Sequence, residues 1–156
     1  MLTNEFTHYQ PTIACMQEVD LEQYSPYFVP FFESLGYDHA LLVGRKKRHG
    51  ILIAWKRERF ELAHRRDIHF DLLSARGVGP CMYTGNVGLA LGLKDMSGDG
   101  GLWISTAHLY WHPRGSYERQ RQAGILVSQT HELALSRPDW PVIICGGTLD
   151  FLCGGS

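Results

Sequence analysis

Two strand ends carry the chemistry this sequence can offer. The apolar run Ile13-Ala14-Cys15-Met16-Gln17 delivers a carboxylate, Glu18, and the run Ser105-Thr106-Ala107 delivers an imidazole, His108, just before a loop holding Tyr110, Trp111, His112 and Pro113. Metal-assisted cleavage of a phosphodiester needs hard oxygen ligands for the metal, a donor for the phosphoryl oxygens and a group that positions water. Glu18 is suited to the first task and His108 to the second. Taken singly, each has a plainer reading, a surface carboxylate and a satisfied strand-end histidine, so the assignment depends on the two meeting in space. Both follow strands, and they are expected to converge at one end of a sheet. His108 and His112 are four apart, as zinc ligands on a helix would be, but the preceding strand and Pro113 argue against a helix there.

The elements that must position them follow from periodicity. Residues 12–19 read as a first strand, and Asp20 with Gln23 offers a capping box. Leu21, Tyr24, Phe28, Phe31, Phe32 and Leu35 then fall at helical spacing. Pro26 and Pro30 predict a break, with Ser25 capping a second segment, Pro26 in its first turn and a kink at Pro30, and Gly36 ends it. Residues 40–43, 50–56, 86–94 and 102–110 read as strands. Residues 116–136 read as a helix, with Ala123, Leu126, Val127, Thr130, Leu133 and Ala134 forming its apolar stripe. The short β-branched run 141–146, bounded by glycine, predicts a central strand. Residues 97–101 are a turn between strands, and one domain over 1–156 is the simplest organisation.

Composition narrows the class. With 15 Lys and Arg against 16 Asp and Glu, the formal charge is −1, so any site for a polyanion must be local. The run Arg45-Lys46-Lys47-Arg48-His49 is one such concentration; runs of this kind are more often solvated loops, yet they can also neutralise a nucleic-acid backbone beside stacking rings. The four cysteines form no C-x-x-C pair, which disfavours a zinc ribbon and suggests buried, reduced thiols. No apolar run reaches the roughly 18 residues that span a bilayer, and the start lacks a basic region followed by an apolar one. An intracellular protein, cytoplasmic or nuclear and without membrane partners, is expected.

Whole segments say more than single residues. Gln17-Glu18-Val19-Asp20, His49-Gly50-Ile51-Leu52-Ile53-Ala54-Trp55, Asn86-Val87-Gly88-Leu89-Ala90-Leu91, Thr106-Ala107-His108-Leu109-Tyr110-Trp111-His112-Pro113 and Tyr117-Glu118-Arg119-Gln120-Arg121-Gln122 occur in a set order. Over residues 11–146 that order resembles the deadenylase-type, nocturnin-like branch of the endonuclease/exonuclease/phosphatase superfamily, and within it the fungal Ngl-type RNA exonucleases. The resemblance implies an α/β fold, a two-sheet β-sandwich flanked by helices, and Mg²⁺-dependent hydrolysis of RNA from its 3′ end, with Mn²⁺ as an alternative ion. It implies that Glu18 binds the metal, that His108 faces the phosphate and that Trp111 and Pro113 lie near the bound nucleotide.

The departures from the family pattern are equally specific. Where the pattern has Gly-Asp-Phe-Asn, this sequence has Gly146-Gly147-Thr148-Leu149, so that Gly147 replaces the Asp and Leu149 the Asn. A three-residue slip would align Asp150-Phe151 but leaves Leu152 in place of the Asn. The family's closing Ser-Asp-His segment and its first strand find no match. The resemblance therefore implies a partial domain of impaired activity, prone to associate through exposed apolar strands. The alternatives are an inactive fragment, a non-catalytic RNA-binding or interaction module, and a phosphatase or phosphodiesterase acting on a small phosphoester.

Overall fold

In β3 (His49–Lys56) every residue from Gly50 to Trp55 is buried, which requires a packed layer on each side of the strand. The computed structural model, which describes residues 2–147, shows both layers. Ile51, Ile53 and Trp55 point inward between two sheets, whereas Leu52 and Ala54 point outward under a helical aromatic cluster. This division follows from the two-residue period of a strand.

The first sheet has the order β1 (Ile13–Asp20), β3, β2 (Tyr37–Val43), all antiparallel. The second has the order β4 (Phe60–His69), β5 (Val87–Asp95), β6 (Gly101–His108), β7 (Val142–Gly147), and only the β6–β7 pair is parallel. Leu89, Leu91 and Leu93 of β5 and Ile104 of β6 meet β3 between the sheets. Outside the first sheet lie Phe6 of α1 (Leu2–Tyr9) and Phe32 of α3 (Val29–Ser34). Outside the second, Ile125 and Leu126 of α4 (Ser116–Ala134) cover Ala90 and Ala107. This is the expected two-sheet sandwich flanked by helices. Each large side chain fully buried in it, such as Leu91 or Phe32, contributes roughly 1.5–3 kcal/mol.

Several elements differ from the sequence reading. α1 and β4 were not foreseen: β4 is an edge strand, mostly exposed, and a bulge between Leu62 and His64 breaks its alternation. β2 begins earlier, at Tyr37, and β6 stops at His108, which frees residues 109–112 as a loop. No break occurs at Pro26. Instead α2 (Leu21–Gln23) runs through a π-helical turn, Tyr24–Phe28, into α3, with the Val29 amide donating to the Tyr24 carbonyl. A wider turn accommodates Pro30, which cannot donate and whose ring would otherwise press on the carbonyl four residues back. β7 is an edge strand among the described residues, not a central one, and Val142, Ile143 and Ile144 are each more than 40% exposed. The aberrant tail from Thr148 onward lies outside the described residues.

Cys15, Cys81 and Cys145 are free thiols, as expected, but Cys81 and Cys145 are exposed rather than buried. Cys153 lies outside the described residues. Burial, followed by the neighbouring Cys145 thiol, pushes the Cys15 thiol up to about 12, so it stays protonated at neutral pH.

Gly92 on β5 lies flat against the fully buried Trp103 ring; a Cβ there would stand 2.7 Å from the ring edge. Gly92→Ala should lower the urea-unfolding free energy by about 1–3 kcal/mol through overpacking. Gly124→Ala, on an exposed helical position with open space around it, should raise stability by up to about 1 kcal/mol. Equal midpoints for the two variants would contradict this packing.

Candidate active site

Antiparallel pairing brings the end of β1 and the start of β3 together, and the same holds for β6 and β5, so four strand termini meet at one end of the sandwich. β1 carries a bulge there. Met16 pairs with Leu52 but Val19 with Gly50, so one extra residue is accommodated, and Glu18 adopts a left-handed conformation at φ +56°. Such a backbone costs a non-glycine residue on the order of 1–3 kcal/mol. The displaced Gln17 side chain crosses to the other sheet, where its Nε2 donates to the Ala107 carbonyl at 2.9 Å.

Glu18 and His108 meet across this end, with Nε2 of His108 3.9 Å from Oε1 of Glu18. The histidine side chain is 20% exposed and the glutamate 59%, so the imidazole is mostly buried while the carboxylate faces solvent. Burial holds His108 below the ordinary imidazole range; Glu18 partly offsets this, and His49 and Lys47 reinforce it. In the parallel register of β6 and β7, His108 stands opposite Gly147. A cavity of about 20 Å³ opens beside His108, bordered by Lys47, His49 and Asn86. It holds about one water molecule.

The other two sequence-predicted residues sit on the loop after β6. Trp111 is 62% exposed. Pro113 starts a short 3₁₀ turn whose cap is His112, with the Arg114 amide donating to Nδ1 at 3.2 Å, so His112 does not join His108 at a metal. Arg119 Nη1 donates to the Tyr110 carbonyl at 3.2 Å and also reaches the His112 carbonyl, which fixes the loop from below.

The sequence reading missed a polar core beneath these loops. Glu118, Arg121 and Gln122 on α4 are buried, whereas Val127, assigned to the apolar stripe, is exposed. The Arg121 guanidinium grips the Glu118 carboxylate, with Nη2 to Oε1 at 2.6 Å and Nε to Oε2 at 3.0 Å. It also donates to the carbonyls of Phe70 at 3.0 Å and Leu73 at 2.7 Å. Gln122 accepts from the Tyr110 amide at 2.9 Å and donates to Thr84 Oγ1 at 3.1 Å. Asp71 completes the network, accepting from the Thr84 amide, the Thr84 hydroxyl and the Gly85 amide at 3.1, 3.2 and 2.7 Å. The signal was present: 118, 122, 125–126, 130 and 134 continue one helical stripe, and its first positions are polar. His49, Lys47 and Asn86, at the cavity, also received no role individually.

Burial alone would raise the Glu118 carboxyl, but hydrogen bonds from Arg121, Cys81 and Gln122 hold it below the usual glutamate value. A depressed carboxyl stabilises the fold above the unfolded value of about 4.3 and loses that contribution as pH falls through the folded one. Glu118→Gln should therefore lower the melting temperature at pH 7, since losing one partner of a buried pair costs about 3–5 kcal/mol. Its melting temperature should also fall less steeply than the parent's below about pH 4.3. Parallel acid profiles for the two proteins would refute the pairing.

Comparison with known proteins bears on the family and the fold. The model of the endonuclease/exonuclease/phosphatase family matches residues 1–147. A probable RNA exonuclease of Schizosaccharomyces pombe is 41% identical over 150 residues, covering 94% of this chain and 29% of the relative. RNA exonuclease NGL2 of Saccharomyces cerevisiae is 36% identical over 143 residues, covering 85% of this chain and 28% of the relative. The chain thus spans less than a third of the length of these relatives. The structure of the human nocturnin catalytic domain with bound sulfate superposes at a TM-score of 0.78 with 23% identity, over 93% of this chain and 54% of that one, a likeness of fold. Among the described residues no helix is long and apolar enough to cross a membrane.

Proposed function

Because the chain belongs to the endonuclease/exonuclease/phosphatase family, we propose that its Glu18–His108 site serves metal-dependent hydrolysis of RNA phosphodiesters from the 3′ end. The observation that carries this reading is the 3.9 Å approach of an exposed carboxylate to a mostly buried imidazole beside a small cavity. The relatives that are named RNA exonucleases support RNA as the substrate.

The donor set fits a hard divalent ion held loosely. Among the described residues no three His, Cys, Asp or Glu side chains gather at one point, so Glu18 would hold Mg²⁺, or Mn²⁺, with water and substrate oxygens completing the coordination. When bound, such an ion offsets the charge that develops on the phosphoryl oxygens. His108 contributes an Nε2–H to a non-bridging phosphate oxygen from a mostly buried position. Lys47, on the cavity wall, adds positive charge near the same phosphate. Trp111, exposed on a loop held by Arg119 and Gln122, offers a face for the terminal base, and Pro113 stiffens that loop.

Among the described residues, the position on β7 opposite His108 carries no carboxylate. Gly147 occupies that register position, and it can neither orient water nor accept a proton. We accordingly assign the chain strong groups for binding phosphate and weak ones for activating water.

The chain should cleave 5′-labelled oligo(A) negligibly with Mg²⁺ present, and Gly147→Asp should add little, because groups that act as a unit are not restored singly. A longer version carrying the family's Gly-Asp-Phe-Asn and Ser-Asp-His segments should shorten the same RNA from its 3′ end. Glu18→Ala in that version should abolish turnover in a gel assay, and cleavage that survives the substitution would sink the mechanism.

A further inference from the structure

Beside the small cavity at His108 lies a larger groove of about 630 Å³. The two share Lys47, Gly85, Asn86 and Val87, so they adjoin each other. The larger volume lies within the range of sites that hold drug-sized ligands, about 300–1,000 Å³. Three cations, Arg45, Lys46 and Lys47, line it together with His69 and Tyr83. Its single carboxylate, Asp71, accepts three hydrogen bonds from Thr84 and Gly85 and is occupied as a structural clamp. Arg48 pairs with Glu22, whereas among the described residues no ion pair engages Arg45, Lys46 or Lys47.

A basic run on a hairpin is usually a solvated loop, but this one is locked in place. A Cβ on Gly44 would fall 1.8 Å from the Gly85 carbonyl oxygen, and one on Gly85 would fall 2.8 Å from the Arg45 carbonyl oxygen. The two loops therefore touch backbone to backbone. Lys46 is held at φ +61°, and Arg45, Lys46 and Lys47 all line the groove. Tyr83, which also lines the groove, is 83% exposed, a ring that no core packing explains.

The geometry points to a track for single-stranded RNA: the strand 5′ of the phosphate at His108 runs through this groove, its phosphates against Arg45 and Lys46 and one base stacked on Tyr83. Unpaired cations and an exposed aromatic face lining one groove are the combination that binds single strands without reading sequence. The inference rests on the reading of Glu18 and His108 as a phosphodiester site, because that site fixes where the strand enters.

The test is fluorescence anisotropy with this chain in EDTA, using labelled AMP and oligo(A) of increasing length. Affinity should rise as the strand grows from one nucleotide to about four, the reach of a single groove. Tyr83→Ala should weaken the longer oligomers about tenfold and leave AMP unchanged. Its melting temperature should match the parent's, since the ring is exposed. Arg45→Ala with Lys46→Ala should reduce the slope of log affinity against log salt by about 1.4, at roughly 0.7 per neutralised phosphate. Length-independent binding, no binding, equal affinity for duplex RNA, or groove variants that retain the parent's affinity and salt slope would each overturn the track. Groove-dependent binding, alongside a longer version whose cleavage ignores Glu18→Ala, would uphold the track and remove the catalytic reading instead.

Discussion

The buried ion pair between Glu118 and Arg121 is the constraint on which the site end of this protein depends. Two charges taken into an apolar interior are tolerated only when the remaining donors and acceptors are satisfied, and here they are met by backbone carbonyls and by Gln122. The pair forms within one helical turn, so its geometry exists as soon as α4 does. What it then requires is the chain after β4, whose Phe70 and Leu73 carbonyls fill the rest of the guanidinium fork. Gln122 extends the demand to Tyr110 and Thr84. Loops separated widely in sequence are thus gathered on one turn of helix, because leaving any of these buried groups unpaired would cost about 1–3 kcal/mol.

Above that polar base, each sheet supplies half of the site. Glu18 comes from the first and His108 from the second, and the Gln17 bond to Ala107 ties the two sheets within one residue of both. The bulge in β1 makes both contacts available at once. In an unbroken strand, Gln17 and Glu18 would point to opposite faces of the sheet, and only one of them could reach across.

How much of this was legible in the sequence depended on whether a residue's role was local. Strands buried on both faces, such as residues 50–55, announced themselves as unbroken apolar runs. Glu18 and His108 were marked by their places at strand ends, and Trp111 and Pro113 by the order of the surrounding segments. β4 was illegible because an edge strand needs apolar residues on only a few positions, and its bulge scrambles even those. The π-helical turn was hidden because the sequence marks proline's missing donor but not how neighbouring turns widen around it. Glu118, Arg121 and Gln122 were left out of the buried stripe, because burial of a charge becomes affordable only through carbonyls some fifty residues away. The pairing of loop 44–47 with Gly85 was equally invisible, since a contact between backbones leaves only a glycine as its trace.

The left-handed backbone at Glu18 sets function against durability. Glycine would occupy that conformation without strain, and asparagine with little. Any selection for heat resistance alone, in a display library or a consensus design, would therefore favour discarding this glutamate early, because the gain is local and nothing in the core resists it. The resulting protein would melt later and keep both sheets, the clamp on α4 and the basic groove, yet it would have lost the carboxylate that we propose meets a metal. In this fold, thermal robustness is a poor guide to a working site, and improvement by the first measure would conceal loss by the second.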